Sequence, residues 1–388
     1  MNRTQSKRHH LSDEALDAFG QKLDVLRQEV IDDLGQRDLD HIRHMMRLSR
    51  YSELGGRGLI HFSLNPVTWS LGVGLLAFSK ILENMEIGHN IMHGQYDWTN
   101  DPVLVSSDYE WDTVCDGDSW RRTHNFEHHT YTNIIGRDRD YGYGLLRLSD
   151  DIPWRPQHLV QFVQYGMLSV GFQWGVALNE LEFDRIQQGE LTWKDKIPFL
   201  KRFARKGAQQ VAKDYVLFPL LAGPMAPKVA LGNALANLTR NMWASTIIFC
   251  GHFTEHAETF EPEVCENETR GQWYYRQLLG SSNFTGGQWL HRMSGHLSFQ
   301  IEHHLFPDIP AERYEELAPK VRALCAEYGL PYNTGTFWQQ YRTVLTRIAK
   351  YSLPPKKRWL SGITSGLSAI GNTGRHHSED APVLSAAA

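Results

Sequence analysis

The sequence has few cysteines and little net charge. Its 388 residues include four cysteines, and the formal net charge is −4. The cysteines lack a CxxC pair or any paired framework, which argues against a cysteine-ligated cluster and a disulfide-stapled scaffold. The weak net charge gives no basis for nucleic-acid binding. The chain also lacks a GxGxxG motif and a His-Pro-Gly-Gly motif. A dinucleotide-binding fold and a fused haem domain of that type are therefore not predicted.

Histidine, in contrast, is abundant and clustered. Eight of the 19 histidines fall into four short clusters: His89 and His93; His124, His128 and His129; His252; and His303 and His304. Two clusters contain an i, i+4 pair, which a helix places one turn apart on the same face. The additional His129 is rotated by about 100° from His128 and would face a neighbouring ion. The pattern therefore predicts more than one metal ion, although imidazole ligands alone do not identify the metal.

Three apolar segments are long enough to cross a bilayer, which takes about 20 residues as a helix. They cover residues 59–82, 158–178 and 215–250. Because clusters that share a site must lie on one membrane face, an even number of crossings must separate the second cluster from the last. We expect the third segment to form a hairpin broken at Gly223-Pro224, with residues 158–178 lying in the membrane plane or re-entering. One span in each segment is the alternative, but it places the basic segment Lys194–Lys213 outside, against the charge rule.

The basic segment itself allows two interpretations. Apolar residues interleave with its lysines and arginines, which fits an amphipathic helix on an anionic membrane surface. A solvated basic helix fits as well. In the first apolar segment, Asn65-Pro66 can divide the chain into a short hairpin.

The terminal regions have the sequence patterns of helices in soluble proteins. Ser12 is a candidate N-cap for a helix ending near Gly35, and a second helix is expected over Arg37–Leu54, ending at Gly55-Gly56. Helices are also expected at 311–328 and 337–351. The predicted division of the chain is 1–54 as an N-terminal cytosolic helical pair, 55–352 as the main domain, and 353–388 as a disordered tail.

The histidine motifs resemble those of one known family, the integral-membrane fatty-acid desaturases with three histidine boxes and a non-haem diiron centre. The motifs are Glu-Ile-Gly-His-Asn-Ile-Met-His-Gly at 86–94, Thr-His-Asn-Phe-Glu-His-His-Thr-Tyr-Thr-Asn at 123–133, and Gln-Ile-Glu-His-His-Leu-Phe-Pro at 300–307. The resemblance implies an all-α fold in which membrane hairpins support a cytosolic helical cap. It also implies two irons held mainly by histidine, with His252 as a ligand between the second and third boxes.

The resemblance further implies an activity. We expect the O2-dependent introduction of a cis double bond into a long-chain acyl group, with a stearoyl-type acyl-CoA oxidised at the Δ9 position as the expected substrate. The expected location is a bacterial cell membrane, with the active site on the cytoplasmic face. Electrons would come from a separate NAD(P)H-linked ferredoxin or flavin and iron–sulfur reductase. An acidic donor could dock near four arginines: Arg121, Arg122, Arg137 and Arg139.

Two other functions remain open at this stage. A diiron hydroxylase acting on alkyl or lipid substrates would use the same scaffold, and only its product would distinguish it. A zinc-dependent membrane hydrolase is the more distant alternative. Catalytic zinc usually takes three protein ligands and a water, so eight convergent histidines are too many.

Four further residues are candidates at the metal site. Gln300 stands where many family members have histidine, and it could bind iron through its carbonyl oxygen or through water. His256 could be a second ligand after His252 or a surface residue. Glu127 and Glu302 could accept the second N–H of a ligand imidazole, or be ordinary surface charges. Trp69, Trp174 and Trp243 are candidates for the wall of an acyl tunnel.

Overall fold

The computed structural model describes residues 11–355, which are predominantly helical as predicted. The α-helices are α1 (Asp13–Asp32), α2 (Gln36–Phe62), α3 (Pro66–Ile81), α4 (His89–Met92), α5 (Gly117–Trp120), α6 (His129–Tyr131), α7 (Gln161–Val170), α8 (Phe172–Leu178), α9 (Phe183–Gln187), α10 (Ile197–Val211), α11 (Phe218–Leu221), α12 (Ala226–His252), α13 (Arg270–Gly280), α14 (Gln288–Met293), α15 (Gln300–Leu305), α16 (Tyr314–Glu327) and α17 (Phe337–Ser352). Strands β1 (Asn283–Thr285) and β2 (Thr334–Thr336) pair in parallel. Residues 356–388 of the predicted tail lie outside the described residues.

Three π-helical segments continue α-helices without a break: Leu82–Gly88 after α3, Arg121–His128 after α5, and Ala212–Leu217 after α10. The first leads directly into His89, and the second carries His124 and His128. π-Helical turns are rare and occur frequently at functional sites. His124 and His128, the i, i+4 pair of the second box, therefore lie on a wider helix than the α-helix that the sequence predicts.

The N-terminal helix begins as predicted, because the Ser12 hydroxyl accepts a hydrogen bond from the backbone N–H of Ala15. Its apolar stripe is buried in a core shared with α13, α15 and α16. The second helix, however, does not end at Gly55-Gly56. It continues to Phe62, so that prediction is wrong.

A close contact between α2 and α3 explains why glycine stands at positions 56 and 72. A Cβ on Gly56 would lie 2.7 Å from the backbone nitrogen of Leu76, and one on Gly72 would lie 2.8 Å from the backbone nitrogen of Ile60. The glycines therefore let α2 and α3 approach closely, rather than ending α2. The helix runs through the predicted domain boundary at 54/55, and the division into domains stays a prediction.

The predicted apolar segments are interrupted in the structure. Asn65 caps α3 and Pro66 is its first residue, and a short turn at Gly223–Met225 separates α11 from α12. Residues 158–178 form α7 and α8 with a break at Gly171. Among residues 11–355, no helix is both long enough and apolar enough to span a membrane. The predicted spans are therefore not confirmed.

Most of the basic segment forms α10, and three of its basic side chains form ion pairs within the fold. Arg202 pairs with Asp116 at 3.1 Å, and Lys206 and Lys213 pair with Glu110 and Asp112. These contacts attach α10 to the chain at residues 110–116. The four cysteines are free, in agreement with the sequence.

Candidate metal centre

The structure brings all eight predicted histidines into one buried cluster. Four different parts of the chain supply them: α4 and the residue after it, the π-helix with α6, the last residue of α12, and α15. The clusters are up to 215 residues apart in sequence (304 − 89). The fold therefore assembles the site, and no single motif does.

The ring nitrogens form overlapping groups. One group contains His89, His93, His124 and His303, and a second contains His128, His252 and His304; within each, the nitrogens lie within 4.8 Å of one another. His129 forms a third group with His303 and His304. Its ring stacks on that of His304 at 4.4 Å and meets that of His303 edge-on at 4.8 Å. His129 therefore lies between the other two groups.

Many of these nitrogens are buried without a hydrogen-bond partner. They are Nε2 of His89, His93, His124, His128 and His303, both ring nitrogens of His129, and Nδ1 of His252. A buried polar group that lacks a partner costs about 1–3 kcal/mol. So many in one place would be strongly destabilising unless they bind something, and clustered neutral imidazoles fit transition-metal ions. The donor set therefore fits a metal centre.

Hydrogen bonds at the outer side of the rings fix their orientation. Nδ1 of His124 donates to Asp140 at 2.8 Å, and Nδ1 of His128 donates to Asp138 at 2.9 Å. Nδ1 of His304 donates to the Gln277 side-chain oxygen at 2.9 Å. With Nδ1 protonated in this way, the Nε2 lone pair points into the cluster.

Sequence reasoning missed these orienting residues. From sequence, only the arginines of this segment, Arg137 and Arg139, were candidates. Asp138 and Asp140 alternate with them, and in the structure this segment is a turn rather than an extended strand. Gln277, far along the chain on α13, had no local signal of this role.

Burial controls the protonation of the cluster. Burial lowers the pKa of His89 to about 4 and places the pKa of six others well below the ordinary value: His93, His124, His129, His252, His303 and His304. At neutral pH these imidazoles have their lone pairs available, so metal binding does not require them to release a proton. For His128, burial acts in the same direction, but the Asp138 carboxylate outweighs it and raises the pKa.

The other candidates occupy different positions. The Gln300 amide nitrogen lies 3.1 Å from Nε2 of His252, and its oxygen is buried without a partner. A Cβ on residue 251 would lie 2.6 Å from that oxygen, so Gly251 makes room for Gln300. His256 is exposed and is not grouped with the other ring nitrogens.

Neither box glutamate contacts an imidazole. Glu127 pairs with Arg122 at 2.7 Å and with Arg139 at 2.9 Å. Glu302 accepts hydrogen bonds from Asn283 and Tyr332, both at 2.8 Å, and burial raises its pKa to about 7. The predicted carboxylate–imidazole contacts come from Asp138 and Asp140 instead.

We expect Asp138→Asn to weaken metal binding by about 10–100-fold, the usual effect of losing a carboxylate that orients a ligand histidine. The measurement is metal retained per chain during titration with a chelator. Asp184→Asn is the matched control, because Asp184 is exposed and, among residues 11–355, its side chain pairs with Arg139 alone, at 3.2 Å. Equal metal retention in both variants would contradict an orienting role for Asp138.

An apolar cavity reaches this cluster, with about 600 Å³ of space when its open mouth is included. Its lining residues come from the π-helix after α3 with α4, the 111–115 segment, α5 with the second π-helix, residues 140–143, α8 and α12: Asn84, Met85, His89, Trp111, Thr113, Cys115, Trp120, Thr123, His124, Asp140, Tyr143, Phe172, Gln173, Val176, Ala244 and Ile248. Trp111 and Trp120 form its tryptophan wall. The three tryptophans predicted for this role are not among the lining residues.

A buried polyhistidine cluster that opens into an apolar cavity fits the class of metal-dependent enzymes that act on apolar substrates. Residues 65–336 match the model of the fatty acid desaturase family. The chain is 44% identical to the "NADPH-dependent stearoyl-CoA 9-desaturase" of Mycobacterium tuberculosis, over 89% of this chain and 82% of that protein. It is 26% identical to the "sn-1 linoleoyl-lipid 6-desaturase" of Arthrospira platensis, over 76% of this chain and 81% of that protein. The chain therefore belongs to the fatty acid desaturase family. It is an oxidoreductase that introduces double bonds into fatty acyl groups.

Proposed function

We propose that this enzyme holds two iron ions and uses O2 to insert a cis double bond near the middle of a long saturated acyl chain, with a stearoyl-type acyl-CoA as the substrate. The observation that carries the proposal is the convergence of eight buried histidines at an apolar cavity. The name of the mycobacterial relative supports the substrate and an NADPH-linked source of electrons. The Δ9 position rests on that likeness.

The overall reaction requires two electrons from a donor. The acyl chain loses two hydrogen atoms, the donor supplies two electrons, two protons enter, and O2 leaves as two molecules of water. When bound, the iron ions supply the transfer of electrons to O2. The protein chain holds the ions, excludes water and positions the methylene groups.

We assign one ion to His89, His93, His124 and His303, and the other to His128, His252 and His304. His129 lies between these groups and belongs with either ion. Rotation of the Gln300 amide by 180°, which exchanges its oxygen and its nitrogen, would direct its oxygen toward His252 in place of the nitrogen. Gln300 is therefore proposed as a weaker oxygen ligand in the second group.

Helix α12 aligns the cavity with the metal centre. Ala244 and Ile248 line the cavity, and His252 ends the same helix. At 1.5 Å per residue, eight residues place His252 about 12 Å along the helix from Ala244. An acyl chain lying against Ala244 and Ile248 would therefore be directed toward the metal centre. Apolar walls on both sides favour methylene groups over water.

We also propose that the enzyme associates with a membrane and that its metal centre faces the cytoplasm. Large apolar side chains are exposed at the end of α2, the start of α3 and the α11–α12 turn: Phe62, Leu64, Val67, Leu220, Leu221 and Met225. Soluble monomers rarely expose continuous apolar patches, which commonly mark contact with a membrane or another protein. In this arrangement the hairpins α2–α3 and α11–α12 would contact lipid, while α1 and α13–α17 would form the cytosolic cap.

The test is mass-spectrometric mapping of double bonds and hydroxyl groups in the fatty acids of a host expressing this enzyme with an NADPH-linked reductase. The wild type is expected to produce a new cis-alkene, and the His128→Ala variant none. A hydroxylated product would instead identify the hydroxylase. Protein that contains zinc and no iron after anaerobic purification, and that forms no alkene, would favour the hydrolase.

A further inference from the structure

A second opening reaches the histidine cluster and shares no lining residue with the apolar cavity. It is a polar cleft of about 920 Å³ including its open mouth, lined by Arg27, Asn125, His129, Thr130, Arg270, Trp273, Leu305, Pro307 and Asp308. The apolar cavity touches His89 and His124, whereas this cleft touches His129. The two openings therefore give access to different histidines, and only the first is suited to an acyl chain.

His129 has a central position in the cluster. Its ring lies 4.7 Å from that of His93, 4.8 Å from that of His303 and 4.4 Å from that of His304. These neighbours belong to both proposed ligand groups. An electron that arrives at His129 is therefore in contact with both halves of the metal centre.

One face of α13 connects the surface to this histidine. Arg270, Trp273 and Gln277 follow each other at three- and four-residue spacing, so they lie along one side of the helix. The Gln277 amide donates to the backbone oxygen of His129 at 2.9 Å, and its oxygen accepts from Nδ1 of His304 at 2.9 Å. The Arg270 guanidinium lies 4.6 Å from the Trp273 ring. Arg270 and Trp273 are therefore in contact at the surface end of this face, Gln277 is bonded to the cluster at the other end, and Trp273 and His129 line the same cleft.

Of the two arginines that line the cleft, Arg27 pairs with Asp308 of the same lining, whereas Arg270 is accessible. The Arg270 side chain is 55% exposed, and its carboxylate partner, Asp24, is 3.8 Å away. Arg137 is exposed and stacks 5.9 Å from the ring of Tyr131, the residue next to Thr130 in the cleft. No carboxylate within residues 11–355 forms an ion pair with Arg137.

The other three arginines of the predicted donor surface are engaged within the fold. Arg121 donates to the backbone oxygens of Ser106 and Tyr109. Arg122 and Arg139 both pair with Glu127 and Glu182. The available positive charge therefore lies at Arg137 and Arg270, beside the cleft, and it favours an acidic partner.

We propose that the polar cleft is the docking site of an acidic iron–sulfur electron carrier of the ferredoxin type, and that electrons enter at His129. The proposal rests on the proposed function, which requires two electrons for each double bond. A carrier that delivers one electron at a time would dock twice per turnover and would be oxidised each time. Trp273 and Gln277 lie between the docked carrier and the cluster as positioning residues.

The experiment compares Arg270→Glu, Arg137→Glu and the double variant with the wild type. The matched control is Arg342→Glu, an exposed arginine on α17. The probe is an acidic plant-type [2Fe–2S] ferredoxin with its NADPH-dependent reductase. Two quantities are measured: ferredoxin affinity for immobilised metal-free and metal-loaded enzyme, and alkene formed with either ferredoxin or dithionite as the reductant.

Reversing two rim charges is expected to lower both the ferredoxin affinity and the ferredoxin-supported rate by about 10-fold or more, because like charges at an interface repel. Wild-type affinity is expected to weaken as salt rises. Dithionite needs no docking site, so its alkene yield should stay within about twofold of wild type, by the same electrostatic argument. Arg342→Glu should match the wild type in every assay.

Three results would overturn the docking site. Wild-type enzyme that binds no ferredoxin would exclude this kind of carrier. Equal ferredoxin affinity in the wild type and the double variant would place docking elsewhere. Equal losses with ferredoxin and dithionite would assign the cleft to solvent or oxygen access. If wild-type enzyme forms no alkene even with dithionite, the proposed function itself fails, while the affinity measurement still tests the docking site.

Discussion

His129→Ala is expected to abolish alkene formation and to lower the metal content of the purified enzyme. The His129 ring contacts members of both ligand groups, and neither of its nitrogens has a hydrogen-bond partner in the described structure. On the proposed assignment, removing the ring takes away a ligand of one ion and leaves a gap between the two groups. The substitution keeps the backbone oxygen that accepts from Gln277, so the local fold should persist.

The matched control is His256→Ala. His256 was also a candidate ligand from sequence, but it is exposed and stands apart from the cluster. Metal per chain is measured by elemental analysis, and turnover is measured with dithionite so that docking of the donor does not contribute. Full metal content and turnover in His129→Ala would contradict its place in the centre. Loss of metal in His256→Ala would restore it as a ligand.

Ala244→Trp is expected to stop turnover of an 18-carbon substrate without loss of metal. Ala244 lines the apolar cavity on α12 and is buried, so an indole at this position would occupy the space proposed for the acyl chain. Overfilling a packed region also costs about 1–3 kcal/mol of stability. The measurements are the turnover rate, metal per chain and the thermal midpoint.

Met242→Trp is the control for this variant. Met242 lies two residues away on the same helix and is 49% exposed, so the same indole there should point away from the cavity. It is expected to leave both turnover and metal content unchanged. Normal turnover in Ala244→Trp would mean that the acyl chain lies elsewhere.

The clustering of the histidines could be predicted from the sequence because a residue type that binds metals occurs at spacings that place its members on one face of a helix. The i, i+4 pairs and the tandem histidines are local patterns, and the fold places all eight in one cluster. The sequence could not predict the π-helices at Leu82–Gly88 and Arg121–His128. The extra residue that widens a helix has no local composition that distinguishes it from an α-helical turn.

The differences from the sequence interpretation share a cause, which is that the deciding partner is distant in sequence. Gly55-Gly56 has the composition of a helix end, but Gly72 and Leu76 on α3 make it a close helix contact. The charges of the basic segment fitted either a lipid surface or solvent, and the partners of three of them, Glu110, Asp112 and Asp116, lie far from it in sequence. Glu127 and Glu302 lie inside the boxes, whereas the carboxylates that reach the histidines come from residues 138 and 140.

One helix carries both a wall of the acyl cavity and a residue of the metal cluster. Ala244, Ile248 and His252 succeed one another at four-residue intervals along α12, so their separation is set by the helical rise and not by the packing of separate elements. Thermal motion that displaces α12 therefore moves the substrate wall and the metal ligand together. On the proposed function, exchanging the side chains at 244 and 248 would change which carbon is presented, while an insertion between them and His252 would turn that imidazole by about 100° away from the cluster.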